Sequence, residues 1–231
     1  MTAPRAMISG AAGGIGRALA EGFLEAGYAV TGVDRAEQGW FAPGFEYLTL
    51  DLQDNDAVAE CGARQGALDV LVNAAGVIRR GREFEIETFE AVVDVNLTGT
   101  MRLSTACRPA LARGGGSVIN IASMLSFFGG PLVPGYSASK GGIVTLTKSL
   151  AIAWAADNVR VNAIAPGWIA TPLTSGLRED AERNRAIIER TPMARWGTPA
   201  DLVGPALFLA SDAARFVTGV VLPVDGGYSS V

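Results

Sequence analysis

The sequence predicts an α/β fold: a doubly wound parallel sheet of about seven strands with helices on both faces, in one domain spanning residues 1–231. Three observations predict it. Short apolar runs alternate with helix-length segments along the whole chain. Apolar residues make up 49% of it, enough to bury a parallel sheet on both sides. The first strand-like run ends in a glycine-rich turn that opens a helical pattern.

Strands are expected near 5–9, 28–33, 45–50, 68–73, 117–121, 159–164 and 219–224. Helices are expected near 15–26, 54–64, 86–112, 136–156, 177–190 and 200–210. No linker, repeat or low-complexity segment divides them. One crossover departs from the pattern. About eleven residues, Gly39, Pro43 and Gly44 among them, separate the second and third strands. A parallel crossover usually takes a dozen or more and a helix. The helix there is expected to be missing or reduced to a turn, with Trp40 and Phe41 covering the sheet instead. The stretch 141–156 is apolar on nearly all sides, with Ile143, Val144, Leu146, Leu150, Ile152 and Trp154. Such a helix needs two buried surfaces, so an isologous subunit interface and a homo-oligomer, dimer or tetramer, are expected.

Bulk properties exclude several classes. The net charge is −4 and no stretch concentrates lysine or arginine, which argues against nucleic-acid and anionic-membrane partners. No apolar run reaches the 18 or so residues of a membrane span. The start carries no signal-peptide pattern. Cys61 and Cys107 have neither metal nor disulfide spacing and read as small buried groups in a reducing compartment, so a cytoplasmic location is expected. The chain has no histidine, which removes Ser-His-Asp chemistry and histidine metal sites; no metal is expected.

The chemistry-bearing residues fall at strand ends. Gly10, Gly14 and Gly16 form a GxxxGxG turn, with Ile15 between the last two. Glycines there allow a tight turn and close backbone approach to a pyrophosphate resting on a helix N-terminus. Asp34 ends the second strand, eighteen residues after Gly16, where a carboxylate can take an adenosine ribose hydroxyl. Asp51 and Leu52 end the third, within reach of an adenine amino group. Asn73, Ala74 and Gly76 end the fourth. Tyr136 and Lys140 lie four apart on a predicted helix and so share a face. A nearby positive charge favours the phenolate, which makes the pair a plausible proton-transfer unit.

Together these residues resemble the short-chain dehydrogenase/reductase family over the whole chain. The matching pieces run in order: Gly10-x-x-x-Gly14-x-Gly16, Asp34, Asn73-Ala-Ala-Gly76, Asn96-x-x-Gly99, Ser123, Tyr136-x-x-x-Lys140, Pro166-Gly167 and Val224-Asp-Gly-Gly227. Ser9 replaces the family's threonine and Ala74 its second asparagine; both changes are expected to remove side-chain bonds. The resemblance implies a Rossmann-like fold and an NAD(P)-dependent oxidoreductase that moves a hydride between the nicotinamide and a secondary alcohol or ketone, with NAD as cofactor and NADP not excluded. It implies Tyr136 as acid/base, Ser123 as holder of the substrate oxygen, and Lys140 as the residue that lowers the Tyr136 pKa and binds the nicotinamide ribose. Asn96 would hold a water linking Lys140 to solvent. Pro166, Gly167, Ile169 and Thr171 would wrap the nicotinamide end, and 172–195 would form a mobile substrate lid.

The runs Ile121–Phe127, Val161–Gly167 and Arg195–Gly197, with Gly76-Val-Ile-Arg79-Arg80, are similar to the family's sugar-acid branch. That similarity implies a small-molecule substrate such as 2-dehydro-3-deoxy-gluconate or 2-deoxygluconate. Arg79 or Arg80 would anchor its carboxylate through a guanidinium fork. A 3-oxoacyl thioester reductase of the same family and a non-catalytic nucleotide sensor are the alternatives.

Overall fold

A computed structural model describes residues 3–231; Met1 and Thr2, part of the start read for a signal pattern, lie outside them. The strands are β1 Arg5–Ser9, β2 Ala29–Asp34, β3 Phe45–Thr49, β4 Val70–Asn73, β5 Ser117–Ile121, β6 Arg160–Pro166 and β7 Val221–Val224. They form one parallel sheet in the order β3-β2-β1-β4-β5-β6-β7. Strand order reverses between β1 and β4, so a crevice opens there at the strands' carboxyl ends.

The helices are α1 Gly14–Glu25, α2 Asn55–Ala63, α3 Ile86–Val93, α4 Gly99–Ala112, α5 Pro134–Trp154, α6 Ser175–Glu179, α7 Ala181–Arg190 and α8 Val203–Ala210. Side chains alternate across each strand and so feed two cores. Ile8, Val72 and Ile119 point to one face, with Leu19 and Phe23 of α1 and Ala206 and Leu209 of α8. Met7, Leu71 and Val118 point to the other, with Val58 of α2, Leu103 and Leu111 of α4, and Leu150 and Trp154 of α5. None of the helices described is long and apolar enough to cross a membrane.

Three expectations change. The helix expected over 86–112 is broken by a π-helical turn at Asp94–Thr98, which re-aims Asn96. The short crossover has no helix, as expected, but only one of its two aromatics covers the sheet. Trp40 is buried and stacks on Phe45 with centroids 3.9 Å apart, whereas Phe41 is 82% exposed. The apolar circumference of 141–156 is largely spent inside the protomer. Ile143, Val144 and Leu146 pack with Ala163 and Val221, and Leu150 and Trp154 enter the other core. Ile152, 81% exposed, is left facing outward.

Candidate active site

The glycine turn shapes the first part of the site. Gly10 has φ +75°, and a Cβ there would lie 2.9 Å from the Ala74 backbone. A Cβ on Gly16 would lie 2.1 Å from the Gly10 carbonyl oxygen. Only glycines let β1, the β4 end and α1 approach this closely, and the approach leaves a cradle at the start of α1. The Ser9 hydroxyl accepts hydrogen bonds from the Ala74 and Ala75 amides at 3.1 Å each, so serine retains the side-chain bonding that its replacement of threonine was expected to remove.

A cavity of about 330 Å³ lies over this turn. Gly10, Gly14, Ile15, Gly16, Asp34, Asp51, Leu52, Ala74, Gly76 and Thr171 all line it, as the sequence predicts for a dinucleotide. The Asp34 carboxylate accepts from the Ala12 and Ala36 amides, one on each oxygen at 3.1 Å. That fixes its orientation at the cavity edge and leaves lone pairs free for a ligand hydroxyl.

Asn73, Pro166, Gly167 and Ile169, also expected at the cofactor, do not line this cavity. Asn73 is buried, its amide bonded at 2.9 Å to Ser104 and to Asn120, so it ties β4 to α4 and β5. Pro166 is the buried last residue of β6. Ile169 packs in the core beside α8. Gly167 faces a second cavity.

The second cavity, about 380 Å³, adjoins the first at Leu173, which lines both. Its walls are mostly apolar: Ile78, Met124, Leu125, Phe128, Val133 and Trp168. Ser123 and Tyr136 stand at one side, and Arg80, Arg183 and Arg190 line it as well. Arg190 is held by stacking, its guanidinium 4.3 Å from the Tyr228 ring centroid. Burial and the Arg183 guanidinium push Arg80 below its ordinary basicity, while Glu83 and Tyr136 favour its charge. Arg79, offered beside Arg80 as an anchor, lines a different cavity with Arg35 and Arg82. A turn begins at Arg80, and the two adjacent arginines line different cavities.

Tyr136 and Lys140 meet as the spacing predicts, Lys140 Nζ lying 5.7 Å from the Tyr136 ring centroid. Burial raises the phenol's pKa; a hydrogen bond with Ser123 and the charge of Arg80 lower it, and Glu83 raises it. Lys140 lies beside the phenol from the same helix. Its ammonium donates to the Ile121 carbonyl at 2.6 Å, and burial pushes its own pKa down to about 8. Asn96 is fully buried. Its side chain accepts from the Val77 amide at 2.8 Å and donates to the Val77 carbonyl and the Ser139 hydroxyl. A Cβ on Gly76 would come 3.4 Å from Asn96 Oδ1 and 3.6 Å from Lys140 Nζ, so glycine keeps that corner open.

Sequence reasoning missed Arg183, Arg190 and Glu83. The arginines sit on α7, and their i, i+7 spacing was the available signal. Glu83 has no such signal in a charged loop.

A dinucleotide cradle, an adjoining apolar cavity and a Ser-Tyr-Lys group, its serine and lysine buried and its tyrosine half-buried, define a dehydrogenase of the nucleotide-binding α/β type. The family model described as enoyl-(acyl carrier protein) reductase matches residues 10–229. The chain is 42% identical to 2-dehydro-3-deoxy-D-gluconate 5-dehydrogenase of Dickeya dadantii, over 96% of this chain and 94% of that one. It is 36% identical to gluconate 5-dehydrogenase of Gluconobacter oxydans, over 98% and 95% of the two chains. A gluconate 5-dehydrogenase from Burkholderia cenocepacia, solved with NADP and tartrate, superposes with a TM-score of 0.91 at 36% identity, covering 100% of this chain and 97% of that one. The chain belongs to the short-chain dehydrogenase/reductase family. It is an NAD(P)-dependent oxidoreductase, transferring a hydride between the nicotinamide and a secondary alcohol or its ketone.

Proposed function

We propose that the substrate is a sugar acid of the gluconate type, with its carboxylate on Arg80 and its reacting hydroxyl on Ser123 and Tyr136. The observation that carries this reading is the second cavity, which places three arginines in one space with Ser123 and Tyr136. A guanidinium matches a carboxylate in a two-bond fork. The Burkholderia relative's tartrate, itself a dicarboxylate, supports the reading.

In this proposal Tyr136 exchanges the hydroxyl proton, while Ser123 donates to the oxygen where charge develops. Lys140 holds the nicotinamide ribose, and Asn96 supports a water behind it. Asp51 meets the adenine amino group. A bound nicotinamide supplies the hydride acceptor or donor. Segment 172–195, which holds α6 and α7 and carries Arg183 and Arg190, acts as the lid. Asp180 separates the two helices and caps α7.

The test is a panel of sugar acids, neutral polyols and a 3-oxoacyl thioester, followed by reduced-cofactor absorbance. A hydrogen bond to a charged group contributes about 1.5–3 kcal/mol. Arg80→Ala is therefore expected to lose roughly ten- to a hundredfold in kcat/KM on sugar acids and little on a polyol. Arg79→Ala is expected to stay near wild type on both. Equal losses on charged and neutral substrates would overturn the carboxylate assignment.

NAD is the proposed preferred cofactor, because the Asp34 carboxylate can accept from a ribose hydroxyl and repels a 2′-phosphate. Arg35 beside it, which lines the same cavity, works in the opposite sense. We expect kcat/KM to favour NAD; equal values, or a preference for NADP, would overturn this. Free, buried Cys61 and Cys107 accord with a cytoplasmic location. A dimer or tetramer is also proposed, with light scattering as its measurement.

A further inference from the structure

We propose that Glu83 is a positioning residue, a carboxylate borrowed from the loop after β4 that caps α5 and sets Tyr136 and Arg80 at a fixed separation. The inference rests on the roles given above to those two residues. Helix α5 starts without a cap of its own: its N-cap is Val133, which has no side-chain acceptor, and Pro134 follows. Val133 is 2% exposed, so water cannot readily serve the first turn's free N–H groups. Glu83 serves one of them. Its Oε2 accepts from the Tyr136 amide at 2.8 Å, and its Oε1 accepts from the Arg79 amide at 2.8 Å. The side chain is 1% exposed.

A buried carboxylate is costly unless it is hydrogen-bonded, and a helix N-terminus is a favourable place for one. Here one carboxylate joins the backbone of the proposed acid/base to the loop carrying the proposed anchor. Neighbouring residues preserve the contact. A Cβ on Gly135 would lie 3.4 Å from Glu83 Oε2 and 3.2 Å from Phe89 Cδ2. The loop is tied to the same helix entrance again, by the Gly81 amide donating to the Leu132 carbonyl at 2.8 Å. The backbone positions from which the Tyr136 and Arg80 side chains extend are therefore tied together through one carboxylate. A misplacement of about 1 Å can cost about a hundredfold in rate.

Glu83 also acts on Tyr136 through its charge. Lys140 lies over the phenol from the same helix, Ser123 bonds to it from beyond β5, and Arg80 and Glu83 bear on it from the loop after β4. Arg183, Arg190 and Tyr228 line the cavity with it. The Glu83 charge disfavours the phenolate, so its removal should move the Tyr136 titration to lower pH. A cap with a purely structural role would not move it.

The test uses two variants. Glu83→Gln keeps the length and removes the charge; Glu83→Asp keeps the charge and shortens the reach. With gluconate and NAD, both are expected to lose roughly ten- to a hundredfold in kcat/KM, with cofactor binding by fluorescence unchanged. The tyrosinate absorbance assigned to Tyr136, taken against Tyr136→Phe in each background, should fall to lower pH in Glu83→Gln and stay near wild type in Glu83→Asp. That titration needs no substrate, so a wrong sugar-acid assignment would leave it intact. An unmoved titration in Glu83→Gln would overturn the inference. So would kcat/KM within about twofold of wild type in Glu83→Asp, which decides the matter alone if the glutamine variant does not fold.

Discussion

Replacing Tyr136 with phenylalanine is expected to lower kcat by about 10²–10⁴-fold, the usual contribution of a positioned acid/base, and to leave cofactor affinity close to wild type. The dinucleotide cavity does not include Tyr136 in its walls, so removal of one oxygen leaves that binding surface unchanged. The second cavity does include it, with Ser123 also in its walls. The chain has no histidine to take over. The phenol's pKa lies above its ordinary value, chiefly through burial. Alcohol oxidation, which needs the phenolate, is therefore expected to rise with pH through the alkaline range. Ketone reduction, which needs the phenol, is expected to fall there. Steady-state kinetics in both directions, with fluorescence titration of the reduced cofactor, provide the measurement. A variant keeping a tenth or more of the wild-type kcat would remove Tyr136 from the role.

The reach of sequence reasoning followed from what each residue depends on. Gly10, Gly14, Gly16, Asp34, Tyr136 and Lys140 act through local spacing at strand ends and helix starts, and local spacing is written in the chain. The sheet was legible for the same reason, since apolar runs and crossover lengths are local. Glu83 acts through contact with an amide 53 residues away, and in a run of charged residues it reads as one more solvated acid. Arg79 and Arg80 could not be separated until the loop's turn was known. The π-helical turn at Asp94–Thr98 shifts the helix by one residue without disturbing the apolar pattern. The spacing placed Lys140 beside Tyr136, but not the hydrogen bond that holds its ammonium. Its neighbour Ile121 holds the ammonium through a backbone carbonyl, a contact that no residue type announces.

Trp40→Ala is expected to be the most destabilising of the surface-loop changes, and Phe41→Ala nearly silent. The crossover from β2 to β3 has no helix to cover its part of the sheet. Trp40 replaces that helix in three ways. It stacks on Phe45 of β3 with an interplanar angle of 20°, its indole N–H donates to the Ala11 carbonyl at 2.9 Å, and the Arg17 guanidinium lies 5.4 Å from its ring centroid. Ala11 lies within the glycine turn and Arg17 follows it, so one side chain links the shortened crossover to the dinucleotide cradle. Removing a buried tryptophan costs about 3–5 kcal/mol. At roughly 2–4 °C per kcal/mol for a chain of this size, the melting temperature should fall by about 6–20 °C. Loss of the bond to Ala11 should also weaken cofactor binding, because the turn can then relax away from its bound shape. Phe41, 82% exposed, should shift the melting temperature by less than about 2 °C. Thermal unfolding with and without NAD separates the two effects. Similar melting temperatures for the two variants would mean that the sheet edge is covered in some other way.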